Sequence, residues 1–116
     1  MEYSNIEFWN LIDAIVSTHR IIIDRPKGSR HHKYCDYVYP LDYGFLEGTT
    51  SNDGEGIDIW IGSSPNKRVS AIISSIDYIK ADSEVKFLYA CTDEEIQMIY
   101  QAHNSSNGMK GILNIR

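Results

Sequence analysis

The 116-residue sequence is poor in the features that mark several protein classes. It holds only two cysteines, Cys35 and Cys91, which are far apart and match neither a zinc-binding pattern nor a redox pair. We therefore expect reduced thiols in a cytoplasmic protein. No apolar run approaches the length of a membrane span, and the N-terminus lacks the basic and apolar segments of a signal peptide. These absences argue against a disulfide-stabilised protein and against a membrane protein.

An excess of basic charge is also missing. Lys and Arg number 11 against 16 Asp and Glu, which gives a net charge of -5 and argues against a general nucleic-acid binder. A polyanionic substrate stays open, because bound metal ions can supply local positive charge. The length predicts one domain over residues 1–116, and an apolar content of 42% is typical of a soluble globular protein.

The sequence does have a concentrated run of carboxylates. Asp53, Glu55 and Asp58 are separated by glycines and lead into an alternating strand, in which Asp58 and Trp60 share one face and the isoleucines share the other. Carboxylates this close repel one another unless a cation lies between them. Hard oxygen ligands without a neighbouring cysteine pair indicate Mg²⁺ or Mn²⁺ rather than zinc. The alternative is an ordinary polar turn, since Asn-Asp-Gly is common turn chemistry.

A second polar group lies at residues 82–86. Asp82, Glu84 and Lys86 alternate, so in extended chain they line one face. The alternative is a charged strand edge with a surface ion pair, which contributes at most about 1 kcal/mol. Either interpretation places the three side chains on the same side of one strand.

The remaining pattern predicts short strands with a helix near each end of the chain. A capping-box spacing opens each helix, at Ser4 and at Thr92, and the second helix has Ile96, Ile99 and Tyr100 on its inner face. Many short strands with helices confined to the ends favour a small β-barrel over a parallel βαβ sheet. The predicted strands are residues 20–24, 34–39, 43–47, 57–62, 69–79 and 85–91, and residues 111–115 form a last strand or tail.

Three motifs occur in a specific order: IDRPKGSRHHKY at residues 23–34, YPLDYGF at residues 39–45 and DGEGID at residues 53–58. Together they resemble the soluble family I inorganic pyrophosphatases, and the resemblance implies that this chain is a short, divergent member. The likeness covers residues 20–62 well and residues 70–90 loosely. The resemblance implies an α+β, mainly β fold: a small OB-like five-stranded β-barrel with an N-terminal and a C-terminal helix. The whole chain, 1–116, is then a single pyrophosphatase-like domain with its site in the mouth of the barrel.

The resemblance also implies a reaction, the Mg²⁺-dependent hydrolysis of inorganic pyrophosphate to two phosphates by a metal-activated water. Mn²⁺ is a second metal candidate, the substrate is pyrophosphate or a related small diphosphate, and the protein is a homo-oligomer without nucleic-acid or membrane partners. The catalytic candidates are Glu55 as general base, Lys33 and Tyr43. The phosphate-binding candidates are Lys33, Tyr39, Tyr43, Lys86 and Arg30, and the metal-ligand candidates are Asp53, Glu55, Asp58, Asp82 and Glu84. The alternative for Tyr39 and Tyr43 is a buried core tyrosine with a satisfied hydroxyl.

Several departures from the family pattern bear on activity. Glu55 and Gly56 stand where the family has Asp and Pro, and a carboxylate displaced by one methylene can misplace a general base. The hairpin that carries the family's phosphate-binding arginine is largely missing, which leaves Arg30 or Arg68 as substitutes. Two alternatives therefore stand beside the active enzyme. One is a catalytically weakened or inactive homologue that binds a phosphate compound or nucleotide in a regulatory role. The other is an OB-like protein-interaction or nucleic-acid module in which the acidic loop is incidental.

Overall fold

The computed structural model describes residues 5–116. Six strands form one mixed sheet in the order β1-β2-β3-β5-β4-β6, in which β3 and β5 run parallel and the other neighbouring pairs are antiparallel. Two helices accompany the sheet, and the predicted α+β, mainly β class is confirmed. The elements are α1 Ile6–Thr18, β1 Ile21–Arg25, β2 Asp42–Leu46, β3 Ile57–Ile61, β4 Val69–Asp77, β5 Asp82–Tyr89, α2 Asp93–Ala102 and β6 Met109–Ile115.

The strand count differs in detail from the five that the family resemblance implied. The segment predicted as a last strand or tail is β6, which pairs with β4 along its whole length. The C-terminal helix is therefore followed by a sixth strand. Within residues 5–116 no pairing joins β1 to β6, so the sheet stays open between these edges.

The predicted strand at residues 34–39 is wrong. This segment belongs to the loop between β1 and β2, residues 26–41, which we call the curled loop. Its one strand-like bridge joins Arg30 and Val38. The Tyr37 N–H donates to the Tyr34 carbonyl in a turn, and the Arg30 guanidinium donates to the Cys35 carbonyl. These local bonds use backbone groups that a strand would need for a neighbour.

The helix starts are only partly those that the sequence indicated. Ser4 lies outside the described residues, and α1 is capped by Asn5, whose side chain accepts a hydrogen bond from the Glu7 N–H. The capping box at Thr92 is confirmed by reciprocal bonds with Glu95. Tyr100 is 38% exposed and not an inner-face residue. The buried stripe of α2 instead runs through Ile96 and Ile99 to His103, which leaves Tyr100 at its edge.

The sheet separates two hydrophobic cores. The core on the α2 side includes Trp60 and Leu88, and the core on the α1 side includes Ile59 and Phe87. The predicted alternation of β3 is therefore confirmed, and Asp58 lies on the same face as Trp60. Among the described residues, no helix is long and apolar enough to cross a membrane.

Candidate active site

A cavity of about 370 Å³ opens on the α2 side of the sheet. Loops and strand ends that are distant in sequence supply its lining, because the register of β2, β3 and β5 brings their polar positions side by side. Most of the predicted site residues line it: Tyr39, Tyr43, Asp53, Glu55, Asp58, Asp82, Glu84 and Lys86.

Lys86 lies at the centre of this group. Its Nζ atom is 2.6 Å from the phenolic oxygen of Tyr43, 3.0 Å from Oδ2 of Asp58 and 2.8 Å from Oε2 of Glu84, and its side chain is 12% exposed. Burial alone would lower the pKa of the ammonium, but the attraction of Tyr43, Asp58 and Glu84 outweighs burial and raises it. Lys86 is therefore a fixed, buried cation.

Tyr43 complements this cation. Burial is the largest influence on its phenol and raises the pKa well above the usual 10.0, although Lys86 opposes the shift. The hydroxyl therefore stays protonated at neutral pH. Because its oxygen accepts from Lys86, its O–H is left to donate to Asp58 or to an anion in the cavity.

The acidic loop, residues 51–56, forms a turn and also lines the cavity. Oδ1 of Asp53 accepts from the Ser51 hydroxyl at 2.7 Å and from the Glu55 N–H at 2.9 Å, bonds that lower the pKa of this carboxyl. Gly54 sits between them with a φ of +82°, a conformation that suits glycine. The turn alternative from the sequence thus describes Asp53 correctly, and the same turn presents Asp53 and Glu55 to the cavity.

The structure adds carboxylates that sequence reasoning missed. Asp77 pairs directly with Asp82 across the end of the β4–β5 hairpin, and both line the cavity. Like charges directly opposite one another destabilise a sheet, so this pair lowers the stability of the fold. The sequence did hold a signal for Asp77: it follows Ile73 and Ser75 at alternating positions, so it lies on the same face of the strand as they do. Asp24 also lines the cavity, and its signal was the acidic position before Pro26 in the family pattern.

Two predicted phosphate ligands, Lys33 and Arg30, are not among the cavity residues. Lys33 is exposed, and the Arg30 guanidinium donates at 2.9 Å to the Cys35 carbonyl within the curled loop. The cations that do line the cavity besides Lys86 are Arg25 and Lys80. No sequence pattern singled out these two residues, because their approach depends on how the loops fold.

The donor chemistry of the cavity suits a hard divalent cation. Seven carboxylates line it, against the three cations Arg25, Lys80 and Lys86. Carboxylate oxygens are the ligands that Mg²⁺ and Mn²⁺ prefer. Over residues 5–116 no three candidate ligands are already grouped around one point. Lys86 lies within 3.0 Å of both Asp58 and Glu84. The residues therefore fit the ion by type, and their side chains must rotate to surround it.

Aromatic rings form the floor. The Trp60 ring lies 4.5 Å from that of Tyr43 and 5.9 Å from that of His103. Burial lowers the pKa of His103, whose Nδ1 lies 3.0 Å from the Ile99 carbonyl oxygen. Within the part of the chain that the structure describes, Trp60 Nε1 is the one buried side-chain polar atom without a hydrogen-bond partner.

Comparison with known proteins gives a consistent picture. The family model described as Inorganic Pyrophosphatase matches residues 13–116. The inorganic pyrophosphatase of Leifsonia xyli subsp. xyli is 31% identical over 40% of this chain, and the match spans 37% of that relative's length. Solved inorganic pyrophosphatases share the fold. That of Helicobacter pylori has a TM-score of 0.57 and 13% identity, and the match covers 82% of this chain and 81% of that chain. That of Neisseria gonorrhoeae has a TM-score of 0.59 and 15% identity, and the match covers 82% of this chain and 80% of that chain. Since the family match extends over most of the sequence, this chain belongs to the inorganic pyrophosphatase family.

Proposed function

We propose that the protein hydrolyses inorganic pyrophosphate to two phosphates in this cavity and that the reaction requires Mg²⁺ or Mn²⁺. The observation that carries the proposal is the Lys86–Tyr43 pair, a buried cation and a phenol donor among carboxylates, in a chain of this family. A dense anion needs a fixed positive charge and hydrogen-bond donors, and this pair supplies both.

Phosphate binding falls to residues at the centre and edge of the cavity. Tyr43 donates to an oxygen of one phosphate, and Tyr39 adds a phenolic donor from the floor. Lys86 attracts this phosphate through its charge, since its three N–H groups already face Tyr43, Asp58 and Glu84. Arg25 and Lys80 neutralise the second phosphate, the role that the sequence had suggested for Arg30 and Lys33. Lys86 also stabilises the negative charge that develops on the leaving phosphate.

Water activation falls to Glu55. Its carboxylate lines the cavity from the glycine-flanked loop and accepts the proton of the attacking water as general base. Asp53, Glu55, Asp58, Asp82 and Glu84, together with Asp77, supply the oxygens that would hold Mg²⁺. When bound there, a divalent ion would neutralise phosphate charge and lower the pKa of bound water.

A phosphate-release assay tests the proposal. We expect release from pyrophosphate to require added Mg²⁺ and to fall about 100-fold or more in Asp58→Asn, because one ligand and one partner of Lys86 are changed together. Asp93→Asn is the matched control, since Asp93 is exposed at the start of α2 and does not line the cavity. Absence of metal-dependent release at micromolar enzyme would remove the proposal.

One observation favours a second candidate, a weakened or inactive homologue that binds a phosphate compound or nucleotide. Lys86 already pairs with Asp58 and Glu84 and offsets one of their two negative charges, which reduces the charge available to a metal ion. Calorimetric binding of pyrophosphate without turnover, unchanged by Mg²⁺, would select this candidate.

We further propose a homo-oligomer in the cytoplasm. The exposed apolar side chains of Ile6 and Leu11 on α1, 77% and 66% exposed, support a contact with a second copy. The free thiols of Cys35 and Cys91 accord with a reducing compartment.

A further inference from the structure

A second cavity of about 470 Å³ adjoins the first. Aromatic rings from the curled loop line it, namely His31, Tyr34 and Tyr37. Apolar side chains from the β4–β5 turn, the end of α2 and the start of β6 complete it, namely Ile79, Ala102 and Met109. A cavity of this size and composition suits a small organic molecule.

The two cavities are continuous. His31, Tyr37, Asp77, Lys80 and Met109 line both of them. A single molecule can therefore place one end near Lys86 and the other in the second cavity. Pyrophosphate alone uses only the first cavity, so the second is space that the proposed reaction does not need.

The ring system offers a stacking surface. His31 stacks on His32 at 4.7 Å and on Tyr39 at 6.2 Å, so the ring most open to a ligand is that of Tyr34, whose centroid lies 5.1 Å from that of His31. Desolvation and the neighbouring charge of His32 lower the pKa of His31, which keeps its ring neutral near pH 7. The side chains of Tyr34 and Ile79 are 65% and 82% exposed, so each presents apolar surface that a ligand could cover.

The second cavity is not purely apolar, because polar groups also line it. Ser105 and Ser106 contribute hydroxyls, and Asp77 and Lys80 contribute charges at the boundary with the first cavity. A sugar or a heterocyclic ring can pair with such groups, whereas an alkyl chain would bury them unpaired at a cost.

We infer that the site accepts an organic diphosphate of the nucleoside diphosphate class, with its flat ring in the second cavity and its phosphates at Lys86 and Tyr43. The inference rests on the proposed function and extends its substrate class. In the reaction the water oxygen bonds to the terminal phosphorus, and the bridging P–O bond breaks with its electron pair left on the nucleoside monophosphate. One proton of the water stays on the released phosphate, and the other passes through Glu55 to solvent.

The test compares adenosine diphosphate with pyrophosphate, by phosphate release and by calorimetric binding. Because stacking of a base on an aromatic side chain is worth about 1–3 kcal/mol, Tyr34→Ala should lower kcat/KM for adenosine diphosphate about 5- to 150-fold. The kcat/KM of Tyr34→Ala for pyrophosphate should not change. Tyr34→Phe, which keeps the ring, should have the wild-type kcat/KM for adenosine diphosphate. Tyr78→Ala is the matched control, because Tyr78 is 83% exposed and lines neither cavity.

The outcomes separate the inference from the proposed function. Cleavage of pyrophosphate with neither binding nor cleavage of adenosine diphosphate would overturn the inference alone. Tyr34-dependent binding of adenosine diphosphate, with neither compound cleaved, would support the ring site and remove the hydrolase. An equal loss for both substrates in Tyr34→Ala, or a preference for an alkyl diphosphate such as isopentenyl diphosphate, would overturn the ring assignment.

Discussion

Lys86 and Tyr43 are 43 positions apart in the chain, yet the Lys86 Nζ atom lies 2.6 Å from the Tyr43 phenolic oxygen and 5.0 Å from the centroid of the same ring. The antiparallel pairing of β2 with β3 and the parallel pairing of β3 with β5 produce this approach. The ammonium thus contacts the tyrosine through its hydroxyl and lies beyond the hydroxyl end of the ring. Each residue fixes the position of the other, so we expect their substitutions to be non-additive.

Replacement of Lys86 tests the centre of the site. Lys86→Met keeps the length of the side chain and removes its charge, so kcat/KM for pyrophosphate should fall about 100- to 1000-fold. Phosphate release measures the loss. Lys67→Met is the control, since Lys67 is exposed and lines a different part of the surface. Retention of more than about a tenth of the wild-type activity would contradict the role given to Lys86.

The same substitution should also destabilise the fold. Asp58 and Glu84 lose their cation, and breaking a fully buried pair costs about 3–5 kcal/mol. Their carboxylate side chains are 24% and 27% exposed, so solvent screens part of that cost and we expect about 1–3 kcal/mol. Urea denaturation separates this loss of stability from the loss of activity.

A glycine at the β1–β2 contact, Gly44, leads to a third prediction. A Cβ atom at Gly44 would lie 1.7 Å from the Ile22 carbonyl oxygen, a backbone atom that cannot move without separating the strands. Gly44→Ala should therefore cost about 3 kcal/mol or more. Gly28→Ala is the matched control: Gly28 has open space around it but a φ of +86°, so we expect only about 1–2 kcal/mol. Equal free energies of unfolding for the two variants would contradict the steric explanation.

What the sequence predicted well was local. The alternation that sets Asp58 and Trp60 on one face of β3 needs no information beyond the strand itself. The capping box at Thr92 is likewise contained in four consecutive residues. The order of the three motifs then predicted the fold class and most of the residues that line the cavity.

What the sequence did not predict depends on distant chain segments. The β4–β5 pairing opposes Asp77 to Asp82, a relationship that neither strand encodes alone. In the curled loop the Arg30 guanidinium donates to the Cys35 carbonyl, so the cations that line the cavity besides Lys86 are Arg25 and Lys80. A motif can place a residue in the right segment, but the direction of its side chain follows from packing between segments.

The link between β3 and α2 supports another prediction. The Glu95 carboxylate accepts from the Thr92 N–H at 2.9 Å and from the Ser63 N–H at 3.0 Å, which joins the helix cap to the chain that leaves β3. Glu95→Ala removes both bonds together with the one that the Ser63 hydroxyl donates at 3.0 Å, and should cost about 1–2 kcal/mol. Glu94→Ala, at an exposed neighbouring position, should cost less than about 0.5 kcal/mol. Equal midpoints of thermal unfolding for the two variants would show that the link contributes nothing.

His103 predicts how stability depends on pH. Burial is the main reason that its pKa lies below 6.5 in the folded protein, although its bond to the Ile99 carbonyl opposes the shift. As pH falls below 6.5, the unfolded chain binds a proton at this position before the folded protein does. The His103 contribution is therefore fully present above that pH and is lost progressively as pH falls towards the lowered folded pKa. His103→Phe keeps an aromatic ring next to Trp60 and removes the titration, so it should lose less stability between about pH 7.5 and about pH 5.5 than the wild type does. Urea denaturation at both pH values measures the difference, with His32→Phe at an exposed histidine as the control. An unchanged pH slope in His103→Phe would mean that the buried histidine is not the group that titrates.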